Sequence, residues 1–237
     1  MWLVQNELLN AYIWEYSRWI PNENTIAYYP LTSTTTNTDT VNSRNLTTFW
    51  WVTYETLSSW LSVARLSGSS SWNSNKLITW SYTWYNIWTI SLWAKPESNW
   101  WSLTNKYILV RTWSGSTNFL DIFTAWAWVY CVRWKKTSSS DRSYNSTVSP
   151  IVDGNWHHFL VSSSTSSIQL YIDWSFVWED TSTATSLSTS ASLYIWSNDD
   201  SYYGYKWLMS NVIIEDKART ATEISDYYDQ TKWDYWL

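Results

Sequence analysis

The chain of 237 residues has one cysteine, four prolines and four glycines. The single cysteine, Cys131, excludes an internal disulfide framework and a cysteine-based zinc site. Flanked by Tyr130 and Val132, it reads as a small buried residue of a strand. Charged residues make up 15% of the chain and the net charge is −5. That balance excludes the basic footprint of a nucleic-acid-binding domain. No basic amphipathic stretch points to a membrane surface. Polar residues break every apolar run within a few positions, so no membrane-spanning helix and no membrane insertion are expected. The opening Met1-Trp2-Leu3-Val4-Gln5-Asn6-Glu7 lacks a positive n-region and an apolar h-region, so no secretory signal is expected there.

What is abundant is serine, threonine, β-branched residues and aromatics, a mixture that favours strands. Short strand-like runs recur at Ile26 to Leu31, Leu61 to Leu66, Lys76 to Thr79, Thr89 to Lys95, Tyr107 to Arg111, Phe119 to Phe123 and Trp128 to Arg133. Others follow at His157 to Val161, Ile168 to Asp173, Leu193 to Ile195 and Leu208 to Ile214. Thr32 to Asn45 and Lys135 to Ser149 read as polar loops. Many short strands separated by turn signals predict an all-β antiparallel sandwich. Helical spacing is confined to two places. Leu8, Leu9, Tyr12, Ile13 and Tyr16 predict a short N-terminal helix, and residues 221–230 predict a short C-terminal helix capped by Thr220 or Thr222. The expected division is an attachment segment over residues 1–24 and a sandwich over residues 25–237.

Against four glycines stand 24 tryptophans. An all-β chain needs glycine for turns with positive φ. Yet Asp173-Trp174 separates two alternating runs, where a two-residue hairpin calls for Asp-Gly. Trp196 and Trp207 also flank polar turns, and Trp50-Trp51, Trp100-Trp101 and Trp113-Ser114-Gly115 sit in turn-like company. Some bacterial lineages and their phages read the codon UGA as glycine. Translating such a gene with UGA as tryptophan produces this pattern. A sugar-stacking, tryptophan-rich surface would explain the many indoles, but neither the missing glycines nor the turn positions.

Four segments carry a family resemblance. They are Ile90-Ser91-Leu92-Trp93-Ala94-Lys95-Pro96; Asp153-Gly154-Asn155-Trp156-His157-His158-Phe159; Tyr171-Ile172-Asp173-Trp174; and Trp207 to Ile214 followed by Arg219 to Ile224. Together with the entry strand Ile26 to Leu31, their order and spacing resemble the laminin-G-like domains of the concanavalin-A-like lectin and glucanase superfamily. The resemblance implies a jelly-roll sandwich over about residues 25–230. It also implies that Trp93 and Trp156 match family tryptophans, whereas positions 174, 196 and 207 carry tryptophan where the family shows glycine.

Candidate chemistry is sparse. His157 and His158 are neighbours on a strand, so they face opposite ways and cannot share a metal; one ring is expected to pack inward and the other to face water. A glycosidase needs two carboxylates about 5–10 Å apart on one face. Glu179-Asp180 and Glu215-Asp216 are adjacent pairs and do not supply them. The Glu-x-Asp-x-x-Glu run of related glucanases is absent, and so are nucleophile elbows and phosphate loops. The expectation is therefore a non-enzyme. Asn198, Asp199, Asp200, Tyr202 and Tyr203 form the candidate ligand-binding loop, polar oxygens beside aromatic faces. Relatives that hold calcium at a loop rim make Asp199 and Asp200 its candidate ligands. By resemblance the ligand is carbohydrate or a surface glycopolymer, met at a cell surface or on a virion. The alternatives are a structural or adhesion component of a phage tail or surface appendage making protein contacts through residues 1–24, and a glycoside hydrolase.

Overall fold

The structure, a computed structural model, describes residues 21–34, 37–49, 52–66, 76–96, 107–113, 119–125, 129–135, 142–145, 153–181, 188–197 and 207–235. Its strands are β1 (Thr25–Tyr29), β2 (Thr47–Phe49), β3 (Val52–Thr56), β4 (Ser62–Leu66), β5 (Lys76–Ile87), β6 (Thr89–Pro96), β7 (Tyr107–Trp113) and β8 (Phe119–Ala125). They continue with β9 (Val129–Lys135), β10 (Arg142–Asn145), β11 (His157–Ser163), β12 (Ile168–Ile172), β13 (Ser175–Asp180), β14 (Ser188–Ser197) and β15 (Trp207–Glu215). One helix, α1 (Ala221–Thr231), and a 3-10 turn over Lys232–Asp234 follow.

The strands form two antiparallel sheets. An eight-stranded sheet runs β13-β12-β11-β6-β15-β4-β3, with β1 also paired to β15. A seven-stranded sheet runs β10-β9-β8-β7-β14-β5-β2. The core lies between them. Ile90 and Leu92 of β6, Phe159 and Val161 of β11, Leu170 of β12 and Ile214 of β15 pack with Leu77 of β5, Ile122 of β8, and Leu193 and Ile195 of β14. Full burial of such side chains stabilises by about 1.5–3 kcal/mol each.

The central strands of the eight-stranded sheet are buried on both faces because α1 lies across its outer side. Ile224 packs on Leu160 and Tyr171. Tyr227 packs on Ile213 and Tyr28. Tyr228 and Tyr235 close a second cluster with Val63, Trp93, Trp156 and Leu208. The indole of Trp93 donates to Thr231 Oγ1 at 3.2 Å, which donates in turn to the Tyr227 carbonyl. The helix starts at Thr220 through a reciprocal cap: Glu223 N donates to Thr220 Oγ1, and Thr220 N donates to the Glu223 carboxylate. Thr220, not Thr222, is the cap.

The antiparallel sandwich expected from the sequence is therefore present, with corrections at its margins. Among the described residues the only α-helix is C-terminal; the expected N-terminal helix falls in residues 1–20, outside the described residues. Strand β3 was not expected, and β10 interrupts the Lys135 to Ser149 stretch read as loop. Strand β5 runs on to Ile87, well past Thr79. Cross-strand pairing sustains these segments where their own alternation is weak. Trp196 and Trp207, expected to flank polar turns, are the penultimate residue of β14 and the first of β15.

Two other tryptophans do occupy turn positions. Asp173 and Trp174 join β12 to β13 with φ of 48° and 62°, the left-handed pair that a type I′ hairpin requires. Trp60 has φ of 66° and ends the loop between β3 and β4, its N–H donating to the Leu57 carbonyl at 2.9 Å. Both rings stand in solvent, Trp60 at 75% and Trp174 at 53% exposure, whereas Trp93 is fully buried and Trp156 nearly so.

Candidate functional site

The loop of Asn198, Asp199, Asp200, Tyr202 and Tyr203 lies outside the described residues. Its flanks are described. It leaves β14 of the seven-stranded sheet at Ser197 and enters β15 of the eight-stranded sheet at Trp207, so this connection passes from one layer to the other. Among the described residues no group of three or more His, Cys, Asp or Glu side chains converges as metal ligands.

The best-defined polar constellation joins two of the sequence motifs. Asp173, in the hairpin after β12, accepts from His158 N at 2.8 Å through Oδ1 and contacts His157 Nδ1 at 2.7 Å through Oδ2. Its own N–H donates to the His158 carbonyl. The other ring nitrogen of His157, Nε2, meets Asp153 Oδ1 at 3.1 Å. Asp153 is itself fixed by Asn155, which donates to it from the backbone and the side-chain amide. Gly154, between them, has φ of 82°, a conformation glycine adopts without strain. Burial lowers the His157 pKa, but the hydrogen bonds and charges of Asp173 and Asp153 outweigh it and the net shift is upward. His157 thus staples two turns together, and the two carboxylates favour its cationic form.

His158 is its opposite. It lies on the outer face beneath α1, fully buried, with ring centroids 5.2 Å from Trp93 and 5.0 Å from Tyr227. Neither ring nitrogen has a hydrogen-bond partner among the described residues. Burial pushes its pKa down to about 3, with Arg219 acting in the same direction and Asp173 against it. The two histidines do face opposite ways, as alternation requires. The expectation that one faces water fails, because α1 covers the outer face and the two aspartates enclose the rim, leaving the His157 side chain 13% exposed.

The acidic pairs also have assigned places. Glu215 is buried and paired in a fork with the Arg219 guanidinium; burial raises its pKa and Arg219 opposes that rise. A cavity of about 10 Å³ beside this pair, lined by Ser91, Leu160, Ile213 and Tyr227 among others, has room for about one water. Glu179 lies on the edge strand β13 and accepts from Gln169. Asp39, which no sequence motif marks, is buried and organises the loop after β1. Its carboxylate accepts from the backbone N–H groups of Tyr28, Val41, Asn42 and Arg44 at 3.0–3.2 Å. The carboxylates of Asp39, Glu179 and Glu215 are thus engaged by partners of the protein itself.

Comparison with known proteins gives a consistent placement. The model of the Laminin_G_3 family, described as the concanavalin A-like lectin/glucanases superfamily, matches residues 81–225. No curated protein sequence matches the chain. Among solved structures, the binding domain of Paraclostridial Mosquitocidal Protein 1 superposes with a TM-score of 0.69 at 15% identity, over 87% of this chain and 52% of that one. Domain 4 of AbnA, a GH43 extracellular arabinanase from Geobacillus stearothermophilus, solved with arabinotriose, gives 0.66 at 15% identity, over 86% of this chain and 98% of that one. Botulinum neurotoxin type C, whose cell entry depends on two ganglioside molecules, gives 0.67 at 15% identity, over 87% and 51%. The chain spans about half the length of the two toxin structures and nearly all of the arabinanase domain.

Proposed function

The chain belongs to the concanavalin A-like lectin/glucanase superfamily, and from that premise we propose that it is a non-catalytic recognition module for carbohydrate or a surface glycopolymer, acting at a cell surface or on a virion. The observation that carries this reading is the state of its described carboxylates. Asp39, Asp153, Asp173, Glu215 and Glu223 hold turns, strands and a helix end in place. The same architecture serves, in the arabinanase domain, a module solved with an oligosaccharide. The ligand surface in this proposal is the connection between β14 and β15, with Asn198 and the rings of Tyr202 and Tyr203 meeting the sugar and Asp199 and Asp200 holding calcium. Calcium would supply a hard cation able to bridge these carboxylates to sugar hydroxyls. Residues 1–24 serve as the attachment segment. A glycan array read with calcium and with a chelator tests this. Binding that is lost in Asp199→Ala/Asp200→Ala and in Tyr202→Ala supports the site. Binding untouched by all of these places the ligand elsewhere, and no glycan bound overturns the reading.

We further propose that Trp60 and Trp174 stand where the natural protein carries glycine, through a gene whose UGA codons specify glycine. The support is steric. Left-handed backbone costs an L-residue about 1–2 kcal/mol, and neither residue belongs to the buried core, Trp60 being 75% and Trp174 53% exposed. Trp93 and Trp156, buried among partner rings, are the tryptophans this account keeps. The gene's codons decide it: UGG at positions 60 and 174 ends the proposal.

A further inference from the structure

Holding a histidine with two unsatisfied ring nitrogens in a closed interior is costly, and here the cost falls under one element. The ring of His158 lies between the sheet, where Trp93 of β6 is its neighbour, and α1, which contributes Tyr227 at 5.0 Å and Tyr228 at 6.3 Å. The chain entering α1 brings Arg219, whose guanidinium is already committed to Glu215 of β15. The hairpin side brings Asp173, whose two oxygens are committed to His157 and to the His158 backbone. The carboxylates of Asp173 and Glu215 are therefore taken up by other partners while α1 is docked.

We propose that α1 and the 3-10 turn after it form an acid-released cap: when His158 gains a proton, the helix leaves the outer face of the eight-stranded sheet and uncovers Trp93, Trp156 and Leu208. The neutral ring is compatible with its apolar enclosure, and the imidazolium is compatible only with water. The sandwich beneath is held by a separate core between the sheets, so the cap has somewhere to leave from. Its attachments include the Trp93–Thr231 hydrogen bond, the stacked rings of Tyr228 and Tyr235 on Trp93, Asn211, which donates to Tyr235, and the packing of Ile224 on Leu160 and Tyr171 and of Tyr227 on Ile213. This inference is independent of which ligand the module binds.

Hydrogen exchange on the full chain, expressed as protection so that the intrinsic pH effect is removed, tests it. A ring that titrates at its ordinary value of 6.5 when uncovered and near 3 when covered raises the uncapped fraction about fiftyfold between pH 6.5 and 4.5. Protection over residues 221–231 should fall by that factor while β11 and β12 keep theirs, and His158→Phe should hold α1 in place across the same range. The same acid loss in His158→Phe would overturn the proposal, and so would simultaneous loss from α1 and the sheet in the unaltered protein. Should His158→Phe fail to fold, the ring of His158 followed by NMR in the unaltered protein decides. Protonation coinciding with loss of α1 protection supports the cap, and a ring that titrates near 6.5 with α1 still protected sinks it.

Discussion

A single carboxylate does much of the organising after β1. Four backbone N–H groups converge on Asp39, and losing the acceptor leaves four partly buried donors without it. Asp39→Ala should therefore cost roughly 3 kcal/mol or more, read as a lower midpoint in urea unfolding, with Asp39→Asn recovering part of it. The turn tryptophans carry the opposite prediction. Relief of left-handed strain is partly offset by the greater freedom of glycine in the unfolded chain, which costs about 0.5–1 kcal/mol. Trp60→Gly and Trp174→Gly should each stabilise by about 0.5–1 kcal/mol, and a lower thermal midpoint in either would contradict the steric account. At this scale the sequence was readable where a residue type is out of keeping with its neighbours, as at Trp174. It was not readable where an ordinary polar residue acts through backbone groups far along the chain. Nothing local distinguishes Asp39 from the other polar residues of its loop, because its role is set by where β1 passes.

Among the elements, α1 was legible at both ends. The Thr220–Glu223 spacing announces its start, and Thr220→Ala should cost about 1 kcal/mol, detectable as a small loss of thermal stability with the sheet unchanged. Glu223 feels some burial, but its bonds to Lys217 and Thr220 prevail and bring its pKa down to about 2, so the cap's contribution is complete above the ordinary value of 4.5 and fades only towards pH 2. What the helix covers was not legible. Its apolar face predicts contact with something, but only the two-layer arrangement shows that Leu160, Tyr171 and Ile213 of the outer face receive it. For the same reason one of the two adjacent histidines was expected to reach water. Strand β3 escaped because its alternation spans only five residues, and β10 because it has almost none; they pair with their neighbours β4 and β9. The hairpin of β12 and β13 was plain, since two alternating runs leave only Asp173-Trp174 to turn the chain.

Across the whole molecule the adjacent histidines oppose one another as pH changes. His158, lowered to about 3, is protonated more readily in the unfolded chain. Its term is complete above pH 6.5 and is lost as pH falls, by roughly 2–3 kcal/mol at pH 4.5. His157, raised by its two aspartates, contributes fully below pH 6.5 and loses that contribution as pH rises through its folded value. Denaturant titrations at pH 5 and pH 8 separate them. His157→Gln should destabilise more at pH 5 than at pH 8, and an equal effect at both would mean that the staple is not charged. The fold as a whole was accessible from pattern and motif order, whereas the candidate ligand loop, carried by a few polar and aromatic side chains, has no pattern of that kind to fix it.

Strand β1 finds its partner in β15, Thr25 beside Glu215 and Tyr29 beside Val212. On a translating ribosome, Ile26 and Ala27 must therefore wait, apolar and unpaired, until almost everything downstream has been made. A chain stopped after β14 would present that waiting segment indefinitely, together with the bare flank of β6 that β15 normally occupies, and two such products would find in each other the hydrogen bonds they lack.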